Sequence, residues 1–314
     1  MKILVTGGAG FIGNALVRRL LKEGHAVRVM DDYSRGVPRR LADIADKIDM
    51  VQGDVRDYAQ VDAAVAGMEI VFHLAAVNGT ENFYKHPDKV LEVAVKGTMH
   101  TMDAAIKYKV KRYLLASSSE VYQEPTHIPT NETERLIVPD VRNPRLSYGG
   151  GKMIGELLAL HYLQKRGIDT VIFRPHNIYA ADMGDEHVVP QFIARLLKLT
   201  GKDFPIQGTG KETRAFCYID DFIDGLMILM EKGTPGELYH IGTNEEVSIA
   251  DVAHTIAKAM NKEIVLVPGE LTAGSTPRRC PDIAKMQALG YEPRVNLEEG
   301  LKRTVEQEVK RLQA

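Results

Sequence analysis

A chain of 314 residues is long enough to bury one large α/β core or two modest lobes, and too long for a small isolated binding module. Hydrophobic residues at 44% and charged ones at 26% are ordinary globular usage and exclude wholesale disorder. With 40 basic side chains against 42 acidic ones the net charge is −2, so no global field draws in nucleic acid or an anionic membrane, and phosphate recognition has to be local.

Cys217 and Cys280 are the two cysteines, and no CxxC spacing accompanies them, so neither a disulfide framework nor a zinc site is expected and a reducing cytoplasm fits. His73, His176 and His187 have no metal-ligand spacing, and no metal is expected. Residues 1–6 read as strand at once and lead into glycines, which leaves no room there for a secretory leader. Every long apolar run is broken by charge well before the roughly 18 residues that suggest a membrane span.

Short β-branched runs at 3–6, 27–31, 50–53, 70–74, 113–116 and 170–174 alternate with apolar residues at helical spacing, which predicts helices over 11–23, 88–108, 147–166 and 187–200. Alternating strands and helices predict a doubly wound parallel sheet of the Rossmann type, an α/β fold with helices on both faces. After Pro175 the pattern loosens into Gly- and Pro-rich connections at 201–210 and 268–281, with shorter α/β elements near 218–231 and 237–260. The predicted division is a Rossmann domain over 1–174 with return segments at 217–260, and a smaller discontinuous lobe from 175–216 and 261–314.

The stretch Thr6-Gly-Gly-Ala-Gly-Phe-Ile-Gly13 lies directly after the first strand and opens the first helix, the setting in which glycine spacing carries meaning. Gly7 suits the tight turn, Gly10 the approach of backbone to a pyrophosphate, and Gly13 close helix packing, while the helix N-terminus offers N–H groups and partial positive charge. The second strand ends in Asp31-Asp32, where a carboxylate accepts from the adenosine ribose hydroxyls and favours NAD over NADP. Arg35, Arg39 and Arg40 weigh the other way, since a guanidinium there suits a 2′-phosphate. Asp54, in Gly-Asp-Val after the third strand, is placed to reach adenine, although an Asp starting a turn is the plainer reading.

Tyr148 and Lys152 are four apart on a predicted helix and share a face, so the ammonium can lower the phenol's pKa toward the range of a general base. Alone this spacing describes many solvated helix faces. Ser117-Ser-Ser-Glu-Val-Tyr122 follows the fifth strand, at the sheet edge where ligands bind.

Together these segments, with FHLAA at 72–76, RPHNIY at 174–179, TRAFCYIDD at 213–221 and RRCPDI at 278–283, resemble the extended short-chain dehydrogenase/reductase family over essentially the full length. That family includes nucleotide-sugar epimerases, dehydratases and decarboxylases. The resemblance implies that Ser118 holds the reacting sugar hydroxyl, Tyr148 takes its proton, and Lys152 binds the nicotinamide ribose and tunes Tyr148. It implies NAD contacts at Gly7, Gly10, Phe11, Ile12, Gly13, Asp31, Asp54, Val55, Leu74, Ala75 and Ala76, besides Tyr148 and Lys152. Substrate contacts are implied at Ser118, Ser119, Asn177, Val189, Arg214 and Arg279, with Arg278 in place of Arg279 if the register differs by one. The lobe after residue 174 then takes the nucleotide-diphosphate sugar, and the two long helices at 88–108 and 147–166 form a homodimer.

The implied chemistry is a transient 4-keto sugar, with epimerisation as the leading outcome and UDP-glucuronate decarboxylation or dehydration as the alternatives. Glu120 stands where simple 4-epimerases carry a small or neutral residue and is placed to move a proton at carbon 5; a structural carboxylate is its bland reading. Ser119 replaces the acid that many 4,6-dehydratases hold before it, which disfavours plain dehydration. The Ser-Glu-Val-Tyr order and the TRAF segment are similar to UDP-glucuronate decarboxylases, and RPHNIY is similar to GDP-mannose 3,5-epimerase. Two departures are Ala94, where the family usually has Asn, and the Gly149–Gly151 run inside the catalytic helix. A NAD-binding redox sensor without sugar chemistry is the alternative of a different class.

Overall fold

The computed structural model describes residues 1–185, 187–270 and 276–313. The chain divides into two compact units, the first built from 1–123, 135–175 and 223–239, the second from 124–134, 176–222 and 240–314.

In the first unit, β1 (Lys2–Thr6), β2 (Ala26–Asp31), β3 (Asp49–Gln52), β4 (Ile70–His73), β5 (Arg112–Ala116) and β6 (Asp169–Pro175) run parallel, and the strand Leu238–Ile241, at whose middle the chain leaves this unit, is the seventh of the sheet. Their order is Leu238–Ile241, β6, β5, β4, β1, β2, β3, so the direction of winding reverses between β1 and β4. Ile3, Leu4, Val5, Val71, Phe72 and Leu114 are fully buried, which is why these strands read as continuous apolar runs and not as alternating ones. The reversal places Thr6, Asp31, His73 and Ala116 along one edge of the sheet, where doubly wound folds bind ligands.

Helix α1 (Phe11–Lys22) buries Leu16, Val17 and Leu20 and carries Arg19 and Lys22 in its last turn, where cations suit the helix dipole. Helix α2 (Tyr58–Val65), capped by the Asp57 side chain, was not among the sequence expectations, because its eight residues are too short for a clear helical period. The two long helices are also not regular throughout. The first is Pro87–Leu91, then a wider π-helical turn at Glu92–Gly97, then Thr98–Lys107. The second is Leu146–Leu158, then a π-helical turn at Ala159–Leu163, closed by a 3₁₀ turn at Gln164–Arg166.

In the second unit, Thr213–Ala215 pairs antiparallel with Glu246–Ser248 and parallel with Arg278–Arg279. The helices Val188–Lys198, Ile249–Ala259 and Leu297–Gln313 pack on one another, the middle one started by a Ser248–Asp251 capping box. That packing assigns 240–260 to the second unit, where the sequence reading gave it to the first, and the return passage narrows to Ile223–Tyr239. Residues 124–134 also belong to the second unit, tied there by Thr130 N–H to the Cys280 carbonyl at 2.8 Å and Asp282 N–H to the Thr130 carbonyl at 2.7 Å. The helix Leu297–Gln313 was not read from the sequence, because its buried stripe is narrow and includes Gly300, Thr304 and Glu308. Residues 271–275 of the expected 268–281 connection lie outside the described residues.

The departures at Ala94 and in the glycine run meet each other. A Cβ on Gly151 would stand 2.7 Å from the Ala94 Cβ, so the two long helices touch here through their smallest side chains. A Cβ on Gly150 would meet only Val138 Cγ2, at 3.9 Å. Gly150→Ala is therefore expected to stabilise the fold by up to ~1 kcal/mol through helix propensity. Gly151→Ala is expected to give a net loss, since overpacking costs about 1–3 kcal/mol. Denaturant unfolding of the two variants checks this, and equal midpoints would count against it.

Candidate active site

At the carboxyl edge of β1, Gly7 turns with φ +72°, a left-handed conformation that favours glycine, and donates its N–H to the Met30 carbonyl at 2.8 Å. A Cβ on Gly13 would overlap the Gly7 carbonyl oxygen, so glycine lets α1 begin this close to the turn. Gly10 caps α1 without a side-chain hydrogen bond, and Phe11 and Ile12 form its first turn. The leading N–H groups of a twelve-residue helix therefore point out of the turn with no side chain capping them.

Asp31 is buried beside this turn and accepts from Ala9 N–H and Tyr33 N–H, each at 2.9 Å. Burial pushes its carboxyl up, against those two hydrogen bonds and the charge of Arg40. A carboxylate has about four acceptor sites, so two remain for ribose hydroxyls. After β4, Leu74 N–H donates to the Thr6 carbonyl at 3.2 Å and Ala75 N–H to the Thr6 hydroxyl at 3.3 Å, which holds Leu74–Ala76 alongside the glycine turn. Asp54 is turned differently: its carboxylate takes Arg56 Nη2 at 2.7 Å, and the guanidinium holds its pKa below the ordinary carboxylate value. Val55 is buried against Gly97. The glycine cradle, the uncapped helix start and the strand-tip carboxylate fit an adenine dinucleotide.

His73 is buried at the end of β4 between the hydroxyls of Thr6, at 2.9 Å, and Thr98, at 3.1 Å. Burial, with some repulsion from Lys152, lowers its pKa to about 3, which favours the neutral imidazole.

Ser118 follows β5 in extended backbone and starts the short 3₁₀ turn Ser119–Val121, its hydroxyl accepting Glu120 N–H at 3.2 Å. The same hydroxyl hydrogen-bonds the Tyr148 phenol, and the Glu120 carboxylate is close enough to act on that phenol electrostatically. Ser119 is buried within the turn. Tyr148 stacks on Phe83 at 5.1 Å. Lys152 is buried one helical turn on, with Nζ 5.7 Å from the Tyr148 ring centre and donating to the Ala116 carbonyl at 2.6 Å. The structure thus brings Ser118, Glu120, Tyr148 and Lys152 together. The expected lowering of the phenol's pKa is not what it shows. Burial pushes Tyr148 up to about 12, with the Ser118 hydrogen bond and Arg35 opposing and Glu120 adding, while Lys152 is aimed at a backbone carbonyl. Burial brings Lys152 itself down to about 8, opposed by Glu156.

Sequence reasoning passed over the group behind Lys152. The Glu156 carboxylate takes the Ser117 hydroxyl at 2.5 Å and Arg174 through two hydrogen bonds at 2.6 and 2.7 Å, and Arg174 also donates to the Tyr122 hydroxyl. A carboxylate four residues after Lys152 in the apolar stretch MIGELLAL was its available signal.

In the second unit, Asn177, Val189 and Arg214 line one pocket together with His187, Phe192, Arg195, Gln207 and Phe216. Asn177 has φ +42° and donates from Nδ2 to the Ala215 carbonyl at 3.2 Å. The strand register separates the two neighbouring arginines. Arg279 pairs with Arg214, so their side chains leave the same face, while Arg278 pairs with Thr213. On that other face Arg278 grips Glu246 at 2.7 and 2.8 Å, and Glu246 also takes the Thr213 hydroxyl.

Residues 3–242 match the NAD dependent epimerase/dehydratase family, and the chain belongs to that family. It is an enzyme, and its cofactor is NAD. It is 33% identical over 315 residues to a UDP-N-acetyl-alpha-D-glucosaminuronate decarboxylase of Bacillus cytotoxicus, covering 97% of each chain. Among solved structures it is similar to a UDP-glucose 4-epimerase of Thermotoga maritima with UDP-glucose (29% identity, TM-score 0.89, covering 99% of this chain and 100% of that one). A dTDP-glucose 4,6-dehydratase of Streptomyces venezuelae with NAD and TYD bound is similar at 28% identity and TM-score 0.88, covering 99% of this chain and 97% of that one. Among the described residues, no helix is long and apolar enough to cross a membrane.

The buried imidazole makes stability pH-dependent. Unfolded, His73 binds a proton below its ordinary 6.5; folded, it does so only near about 3. Between those values the unfolded state carries the extra proton, so stability falls as pH falls, by up to ~1.4 kcal/mol per pH unit. Denaturant unfolding across that window is expected to show a shallower pH slope in His73→Gln, and an unchanged slope would refute the assignment.

Proposed function

We propose that this enzyme converts a nucleotide-diphosphate sugar through a transient 4-keto sugar, with epimerisation as the net reaction. The convergence of the Ser118 hydroxyl, the Tyr148 phenol and the Lys152 ammonium beside the carboxyl edge of the sheet supports this reading. In it, Ser118 holds the sugar's 4-hydroxyl, Tyr148 takes its proton, and Lys152 binds the nicotinamide ribose and stabilises the phenolate. NAD, when bound, would supply the acceptor for the carbon 4 hydride and give it back. A proton on the Tyr148 phenol and the Ser118 hydrogen bond orient the ketone for that return. Gly7, Gly10, Phe11, Ile12, Gly13, Asp31, Val55, Leu74, Ala75 and Ala76 are assigned to the dinucleotide, and Asp54 to its adenine end. Asn177, Val189, Arg214 and Arg279 are assigned to the diphosphate and nucleoside, guanidinium forks suiting phosphate oxygens.

A ketone at carbon 4 acidifies the hydrogen at carbon 5, and Glu120, close to Tyr148, is the carboxylate we assign to move that proton. A second reading is favoured by Glu120 together with the uronate decarboxylase among the relatives. If carbon 5 carries a carboxylate, the same ketone makes it a β-keto acid that loses carbon dioxide, and carbon 5 is then protonated. UDP-, GDP-, CDP- and dTDP-sugars, with UDP-glucuronate among them, are to be incubated with the enzyme in deuterated water and the products read by NMR. An epimer without gas release is expected; carbon dioxide from UDP-glucuronate selects the second reading. Deuterium at carbon 5 is expected in wild type and absent in Glu120→Gln. Tyr148→Phe is expected to lower turnover by roughly 10²–10⁴-fold, and full turnover in that variant would end the proposal.

We place the enzyme in a reducing cytoplasm, in keeping with two buried free thiols, and assign a homodimer to its two long helices. Leu91, Ile154 and Leu157 on these helices are 41%, 40% and 58% exposed, an apolar outlay that a second copy would cover. Leu157→Arg is expected to halve the mass seen by analytical ultracentrifugation; a monomeric wild type would refute the assignment.

A further inference from the structure

Glu156 and Arg174 are 5% and 3% exposed and form an ion pair at 2.6 Å. Such pairs add little stability over a well-packed apolar replacement, so their neighbours matter more than their own attraction. Glu156 lies one helical turn beyond Lys152, which makes the two side chains neighbours on one face. We propose that Glu156, balanced by Arg174, is a positioning residue that keeps Lys152 in its ammonium form against the Ala116 carbonyl, beside the Tyr148 phenol. This rests on reading Tyr148 and Lys152 as the pair that handles the proton.

The geometry carries it from both sides of the carboxylate. One oxygen takes Ser117 Oγ–H at 2.5 Å and Arg174 Nε–H at 2.7 Å; the other takes Arg174 Nη2–H at 2.6 Å. Ser117 directly follows Ala116, whose carbonyl accepts Lys152 Nζ at 2.6 Å, so Glu156 is tied to the strand end that holds the ammonium. The titratable and charged groups around Lys152 and its carboxylate neighbour come from several elements. Its own helix brings Tyr148 and Glu156 and β4 brings the neutral His73, while the Ser117 hydroxyl at the end of β5 and Arg174 of β6 stand behind them on the Glu156 carboxylate. Glu156 is the anion of that set. Without it Lys152 loses its neighbouring anion while the positive charge of Arg174 stays, which disfavours the ammonium; without Arg174 the positive charge behind the carboxylate is gone, which favours it.

Heteronuclear NMR on protein with isotope-labelled lysine side chains, with the Lys152 signal assigned from Lys152→Arg, reads the titration midpoint of Lys152 directly. Glu156→Gln is expected to lower that midpoint by about one pH unit, and Arg174→Gln to raise it by a similar amount. Ser117→Ala, which removes a hydrogen bond and no charge, is expected to leave it in place. Identical midpoints in wild type and both charge variants, or shifts of the same sign, overturn the proposal; if one variant does not fold, the other decides. The titration needs neither sugar nor NAD. A flat result would leave the sugar chemistry standing, and a failure of the sugar chemistry would leave the titration readable.

Discussion

The first unit depends on a charged constraint beneath its sheet edge: Lys152 held to the Ala116 carbonyl, and Glu156 held between Ser117 and Arg174. These contacts join the helix Leu146–Leu158 to the ends of β5 and β6, the strands next to it in the sheet's winding. Charged groups leave water at a cost of several kcal/mol each and remain ionised only where every donor and acceptor is met. Tyr148, one turn before Lys152, meets Ser118.

Burial has a chemical price at this site. It raises the phenol to about 12 and lowers the ammonium to about 8, the reverse of what a base and its helper require near neutrality. Desolvation explains both shifts, with Phe83 stacked on the phenol ring and both side chains buried, while the Ser118 hydrogen bond opposes the rise of the phenol. The groups are thus held in place by a dry environment that resists their ionisation, and the fixed charges of Arg35 and Glu156 act against that resistance. Such sites are organised by charge that lies a residue or two away from the reacting atoms.

Small residues at the edge of the sheet and between the long helices do the complementary work. Gly13 lets α1 start against the Gly7 carbonyl, and Gly151 lets one long helix lie on Ala94 of the other. Where the family pattern places Asn, this chain has a methyl group and closes the gap with a glycine opposite, so the two departures are one packing solution.

What was legible in the sequence is what local spacing encodes. The turn from Gly7 to Gly13, the carboxylate of Asp31 at a strand tip, the four-residue offset of Tyr148 and Lys152, and the alternation of strands with helices all follow from backbone geometry over a few residues. The Rossmann sheet and the shared helix face of Tyr148 and Lys152 could be read from it, whereas the roles of Ser118 and Glu120 came only with the family resemblance. The tertiary structure alone decided that Arg279 and not Arg278 shares a face with Arg214, and that 240–260 belongs to the second unit. It alone joined Glu156 to Ser117 and Arg174, residues 39 and 18 positions away. The reason is physical: register between strands, burial and the direction of a charged side chain depend on neighbours brought together by packing, and spacing along the chain carries no record of them.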